Sequence, residues 1–170
     1  MPRNFVGAGL AVSFAIAVLF VTSAALAEVD ASNALRPAPN WELKNLEGKT
    51  VKLSEFHGKV VILDFWATWC APCRKEIPGL VALQKEYGHK GLTVIGVSLD
   101  EQRTELVKEF VKQFAMTYPV VMADEKTIVA YGGIEGVPTT FVIDRQGHIV
   151  SEHLGYEAKE TFEKEIQSLL

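Results

Sequence analysis

Both cysteines of this 170-residue chain stand in one short stretch, FWATWCAPCRKEIP at 65–78, with only Ala71 and Pro72 between Cys70 and Cys73. A bond between them closes a loop worth about 2 kcal/mol of chain entropy, against about 4.7 kcal/mol for a 100-residue loop. As a staple it holds almost nothing, which argues against a purely structural bridge. A zinc site fares worse: one C-x-x-C supplies two ligands, and no second pair or H-x-x-x-H follows. His57, His89, His148 and His153 are scattered and read as surface or turn residues. The chemistry that wants this spacing is dithiol–disulfide exchange.

The pair falls where an apolar run, KVVILDFW at 59–66, gives way to a helical pattern at 73–87. Cys70 would there face unpaired backbone N–H groups and the positive end of a helix dipole, which favour thiolate over thiol. Pro72 suits the first helical turn, where its missing N–H costs nothing. Cys70 is therefore the expected nucleophile, and Cys73, one turn inside, the thiol that resolves the mixed disulfide. That second attack needs a base. Asp64 interrupts VVILDFW, where burial would raise its pKa and keep it protonated. Glu76 follows Cys73 by three positions on the same helix face, either as a solvated residue or as a second carboxylate of the site. Farther along, Pro138 in GVPTT is either a strand starter or a cis-proline, and spacing alone leaves both open.

The elements that must hold these residues can be read from periodicity. WELKNLEGKTVKL at 41–53 alternates around a Gly-containing turn, as a hairpin does. Residues 59–66 and GLTVIGVS at 91–98 have the pattern of strands buried on both faces. The helix at 73–87 should stop at Gly88, with Pro78 as an interior kink. A second helix spans 104–114, with Leu106, Val107, Phe110, Val111 and Phe114 on its inner side. A short strand at 119–122, a short helix at 125–131, a hairpin of 139–144 with 148–153 and a last helix from about 158 complete an α/β domain with a mixed sheet.

The N-terminus sets the compartment. Arg3, an apolar run from Phe5 to Ala27 and the ending Ala25-Leu26-Ala27 match a secretory signal peptide at 1–27. At 23 residues the run is also long enough to be a membrane anchor, which needs about 20. Either way, residues 28–170 are expected outside the cytoplasm, where disulfides persist. Residues 28–38 read as a linker and 39–170 as one domain. The formal net charge is −4, with no basic cluster, so nucleic acid is not an expected partner.

Taken together, VVILDFWATWCAPCRKEIPGL, VIGVSLDE and GVPTTFVIDRQGHIV resemble the extracytoplasmic thioredoxin-like proteins of the TlpA/ResA group. The resemblance covers roughly 39–168. It implies a thioredoxin fold with a mixed central sheet flanked by helices, an added N-terminal β-hairpin and a central strand–helix insertion. It implies catalytic roles for Cys70, Cys73, Asp64 and Glu76, with a redox-active Cys70–Cys73 disulfide. It places Trp69, Ala71, Pro72, Val137 and Pro138 against the substrate, Pro138 matching the group's cis-proline. Asp64 departs from much of the group, which often has Asn there, and agrees with the buried acid of cytosolic thioredoxins. Asp64 is therefore expected to take the Cys73 proton, with Glu76 modulating it.

The implied function is reduction of disulfides in partner proteins, apocytochrome c or a copper-assembly protein among them. Electrons would come from a membrane donor of the DsbD/CcdA type. No metal or cofactor is called for, and without a dimerisation domain a monomer is expected. Two alternatives stand beside it. A disulfide-forming oxidant has the same fold, but Ala71-Pro72 shares its Pro with reducing thioredoxins and lacks the His of strong oxidants. A Cu(I) chaperone would use the soft sulfurs, yet Sco-type sites space their cysteines one residue wider and add a distal His. A peroxidase of the peroxiredoxin type needs Thr three residues before the cysteine, where this chain has Ala67.

Overall fold

The computed structural model describes Met1 and residues 35–170. The expected signal peptide or anchor at 1–27 (Met1 apart) and most of the expected linker lie outside the described residues. The elements are β1 (Arg36–Pro37), β2 (Glu42–Asn45), β3 (Thr50–Lys52), β4 (Val60–Trp66), α1 (Ala71–Tyr87), β5 (Leu92–Ser98), α2 (Thr104–Gln113), β6 (Val120–Met122), α3 (Glu125–Ala130), β7 (Thr139–Ile143), β8 (His148–Leu154) and α4 (Lys159–Gln167). Among the described residues no helix is long and apolar enough to cross a membrane.

The two continuous apolar runs become the middle of one eight-stranded sheet, ordered β1-β8-β7-β4-β5-β6-β2-β3. β4 and β5 are buried along their whole length, because both faces of the sheet are covered. They pair in parallel, as do β5 and β6, while β7 joins β4 antiparallel. The β2–β3 hairpin docks on β6 and extends the sheet at that edge. Val60, Ile62 and Trp66 face a core shared with Ile77 and Leu80 of α1, Val107 and Phe110 of α2, and Phe162 and Ile166 of α4. Val61, Leu63 and Phe65 face the opposite core with Trp41, Tyr131 and Phe141. Asp64 shares the first face by alternation.

Two expectations change. Arg36 and Pro37, inside the stretch taken for a linker, pair with Ile149 and His148 of β8 as an edge strand. A two-residue strand carries no period for sequence reasoning to detect. α1 stops at Gly88 as expected, and a 3-10 turn of Gly88–Lys90 leads on to Gly91, whose φ of 106° is the left-handed value a glycine tolerates. Leu106, assigned to the inner side of α2, is 42% exposed, while Val107 and Phe110 carry the packing. Pro78 sits inside α1, which continues past it.

Gly96 marks the closest approach within the first core. A Cβ there would lie 2.8 Å from Trp66 Nε1 and 3.4 Å from Tyr118 Cε2. Gly96→Ala is expected to lower stability by about 1–3 kcal/mol through overpacking. Urea unfolding checks this, and an unchanged midpoint would contradict the packing argument.

Candidate active site

Cys70 ends the loop after β4 and caps α1: its sulfur accepts the Cys73 backbone N–H at 3.1 Å. Pro72 occupies the first turn of the helix, as its spacing predicts. Cys70 and Cys73 are joined in a disulfide. Both are buried, under a rim of exposed Trp69, Ala71 and Pro72, with Trp69 64% accessible. From the far end of the chain, the Val137 carbonyl oxygen comes to 3.4 Å from Cys70 Sγ. The Val137–Pro138 bond is cis, which decides the alternative left open by spacing. β8 closes beside this loop through the Gly155 N–H, which donates to the Pro138 carbonyl at 2.8 Å. That leaves Leu154 and Tyr156 as exposed apolar neighbours.

The loop before Cys70 is clamped from two sides. Buried Asp100 accepts the Thr68 N–H at 2.8 Å, the Thr68 hydroxyl at 2.6 Å and the Ser98 hydroxyl at 2.9 Å. Arg74 donates from Nε and Nη2 to the Thr68 carbonyl at 3.1 and 2.6 Å. Its guanidinium lies 5.7 Å from the centre of the Phe110 ring. A buried carboxylate with three donors is satisfied, and its bonds fix the chain just ahead of the nucleophile.

Asp64 on β4 and Glu76 on α1, one turn after Cys73, both lie 3.3 Å from the Thr140 hydroxyl. Asp64 is 1% exposed and Glu76 3% exposed, so Glu76 is not the solvated helix residue its spacing allowed. Burial, then the charge of Glu76, pushes the Asp64 pKa well above the usual carboxylate range, and the Thr140 hydroxyl opposes this only in part. Burial likewise raises Glu76, to about 7. Both carboxyls therefore hold their protons to higher pH than solvated carboxyls do. The polar atoms Glu76 Oε2, Tyr118 OH and Trp66 Nε1 are buried with no hydrogen-bond partner among the described residues.

These features can be matched to known proteins. The model of the AhpC/TSA family matches residues 35–152. The chain belongs to the AhpC/TSA family. Within it, the chain is 38% identical over 135 residues to the thiol-disulfide oxidoreductase ResA of Bacillus thuringiensis subsp. konkukian, covering 79% of this chain and 77% of that protein. The thioredoxin-like protein YneN of Bacillus subtilis is also 38% identical, over 131 residues and 76% of each chain. A solved thiol:disulfide interchange protein from Chlorobium tepidum TLS matches with a TM-score of 0.73 at 36% identity, over 79% of this chain and 96% of its own. The α/β architecture with its N-terminal hairpin is accordingly a thioredoxin-like fold. Within this AhpC/TSA chain, position 67, where a peroxidatic site would carry Thr, is a fully buried Ala67.

The folded chain brings Cys70, Cys73, Trp69, Ala71, Pro72, Val137 and Pro138 to one end of α1, with Asp64 and Glu76 buried behind. Asp100, Thr68, Arg74 and Thr140 did not stand out in the sequence. Asp100 left a faint signal, an acid two residues after the buried strand VIGVS. Thr140 left none, since it reaches the carboxyls only through the β4–β7 register.

Proposed function

We propose that the protein is an extracytoplasmic thiol–disulfide reductase acting on disulfides of partner proteins. The observation that carries this reading is Cys70 at the start of α1, with the Cys73 N–H on its sulfur and the Val137 carbonyl beside it. In the reduced enzyme that N–H and the helix dipole stabilise a Cys70 thiolate. The thiolate attacks one sulfur of the partner's disulfide, forming a mixed disulfide and releasing the other sulfur as a thiolate. Cys73 then gives its proton to the carboxyl pair and attacks Cys70 Sγ. The Cys70–Cys73 bond forms, the second partner thiolate leaves, and two electrons have passed to the partner.

The buried disulfide under the Trp69 rim favours a partner cysteine on a protruding, extended segment, whose backbone would lie along Val137. Apocytochrome c and copper-assembly proteins offer such cysteines. A membrane dithiol donor of the DsbD/CcdA type would return the electrons. The apolar run at 5–27, with Arg3 before it, supports export and placement at the outer face of the membrane.

Direction is tested by equilibrating the protein with a glutathione or dithiothreitol couple. A midpoint near that of thioredoxin, about −270 mV, is expected, whereas one near about −120 mV would make the protein an oxidant.

A further inference from the structure

Thr140 is fully buried on β7, directly opposite Asp64 of β4 in the sheet register. Its Oγ1 lies 3.3 Å from Asp64 Oδ1 and 3.3 Å from Glu76 Oε1. A hydroxyl owns one hydrogen and can donate to only one of these oxygens at a time. The other contact is a hydrogen bond only if that carboxyl is protonated and donates to Thr140. With the pair singly protonated, both contacts of Thr140 are hydrogen bonds: one carboxylic acid donates to Oγ1, and the Thr140 hydroxyl donates to the other, ionised carboxylate. With both carboxyls ionised, one loses its donor; with both protonated, Thr140 loses a carboxylate to donate to.

We propose that Thr140 is a positioning residue that makes Asp64 and Glu76 a unit holding one proton and one charge, so that either carboxyl can receive the proton of Cys73. The chain Asp64–Thr140–Glu76 can run in either direction. Reversing it moves one proton from the acid to Oγ1 and one from Oγ1 to the carboxylate, with no water needed. When the Cys73 proton arrives, the ionised carboxylate takes it. The electron pair left on Cys73 Sγ forms the bond to Cys70 Sγ, and the partner sulfur leaves with the pair of the broken bond. This inference rests on the reductase reading for its role, though not for the bridge itself.

Other groups face the unit from the surrounding elements. Tyr118, ahead of β6, is held un-ionised by burial and by the charges of Asp64 and Glu76. Cys73 stands one turn before Glu76 on α1. From the loop after β8, the Glu157 charge raises Glu76 while its backbone N–H lowers it. His153, the register neighbour of Thr140 on β8, is held by Glu165 at 3.0 Å and faces Glu157 at 3.8 Å. None of these offers a hydroxyl to both carboxyls.

The test compares Thr140→Val, which keeps the shape and removes the hydroxyl, with Thr140→Ser, which keeps the hydroxyl. Two readouts are followed: infrared titration of the buried carboxyls in the oxidised protein, and the pH profile of mixed-disulfide resolution. Thr140→Val is expected to move the carboxyl midpoint up by about one pH unit and to slow resolution about tenfold at pH 7, as loss of a charged hydrogen bond does. Thr140→Ser should titrate like the parent. A Thr140→Val protein with the parent's infrared midpoint overturns the bridge. So does a Thr140→Ser protein that behaves like Thr140→Val, since the effect would then be packing. An infrared shift without a change in the resolution profile upholds the bridge and overturns the use of the pair as base.

Discussion

Cys73→Ser is expected to turn the protein into a trap. The variant should form the mixed disulfide through Cys70 and stop there, its adduct persisting for minutes to hours, the timescale of uncatalysed disulfide rearrangement. The reason is geometric. Cys73 N is held 3.1 Å from Cys70 Sγ by the first turn of α1, so the resolving sulfur is anchored beside its target. Well-oriented groups of this kind act at effective concentrations of about 10⁵ M or more. No free thiol in solution matches that. Attack itself should survive, because the helix N-terminus that stabilises the Cys70 thiolate is backbone. Expressed in the native host, Cys73→Ser should carry a partner protein visible on a non-reducing gel and released by dithiothreitol. The matching Cys70→Ser variant should carry none. An adduct on Cys70→Ser would reverse the assignment of nucleophile and resolving thiol. The captured protein is the substrate or the electron donor, which the sequence does not name.

What the sequence disclosed and what it hid divide along a physical line. Strands β4 and β5 were legible because burial on both faces leaves an unbroken run of Val, Ile and Leu. The roles of Cys70 and Pro72 were legible because helix N-termini have local rules. Asp64 was legible as an anomaly, a charge in a run that excludes charge. The long-range juxtapositions were not. Val137 meets Cys70 across 67 positions, and Thr140 meets Asp64 across 76. A one-residue slip of β7 against β4 would turn Thr140 to the other face and leave the sequence pattern unchanged. Glu76 was ambiguous for a related reason. Its helix position fixes a direction, but whether that direction is wet depends on β7 and the loop after β8 covering it.

The paired carboxyls give the second large effect, and it has opposite signs for activity and stability. Asp64→Asn and Glu76→Gln each leave one carboxyl of the Thr140-linked pair, so each single variant should keep part of the resolving rate with a displaced pH profile. The double variant leaves no base. Its resolution at pH 7 should fall by about 10²-fold or more, the usual worth of a positioned base, and by more than the two single losses predict, because either acid can serve. Stability should move the other way. A carboxyl whose folded pKa lies above its unfolded value stabilises the fold fully while both states are protonated. That contribution is lost as pH rises through the folded pKa. For Glu76 the window runs from about 4.5 up to about 7, and Asp64, raised by the same burial, adds a loss of the same sign. The parent should therefore weaken between pH 5 and pH 8, whereas the double variant, with nothing to ionise there, should show a flatter profile. At pH 8 it should be the more stable protein by about 1–3 kcal/mol, the cost of an uncompensated buried polar group. Urea unfolding at the two pH values reads both signs at once. A double variant less stable than the parent at pH 8 would mean that the buried charge is compensated and the pair is structural. A stabilised but inactive double variant would show a fold that gives up stability to keep a base behind its second cysteine.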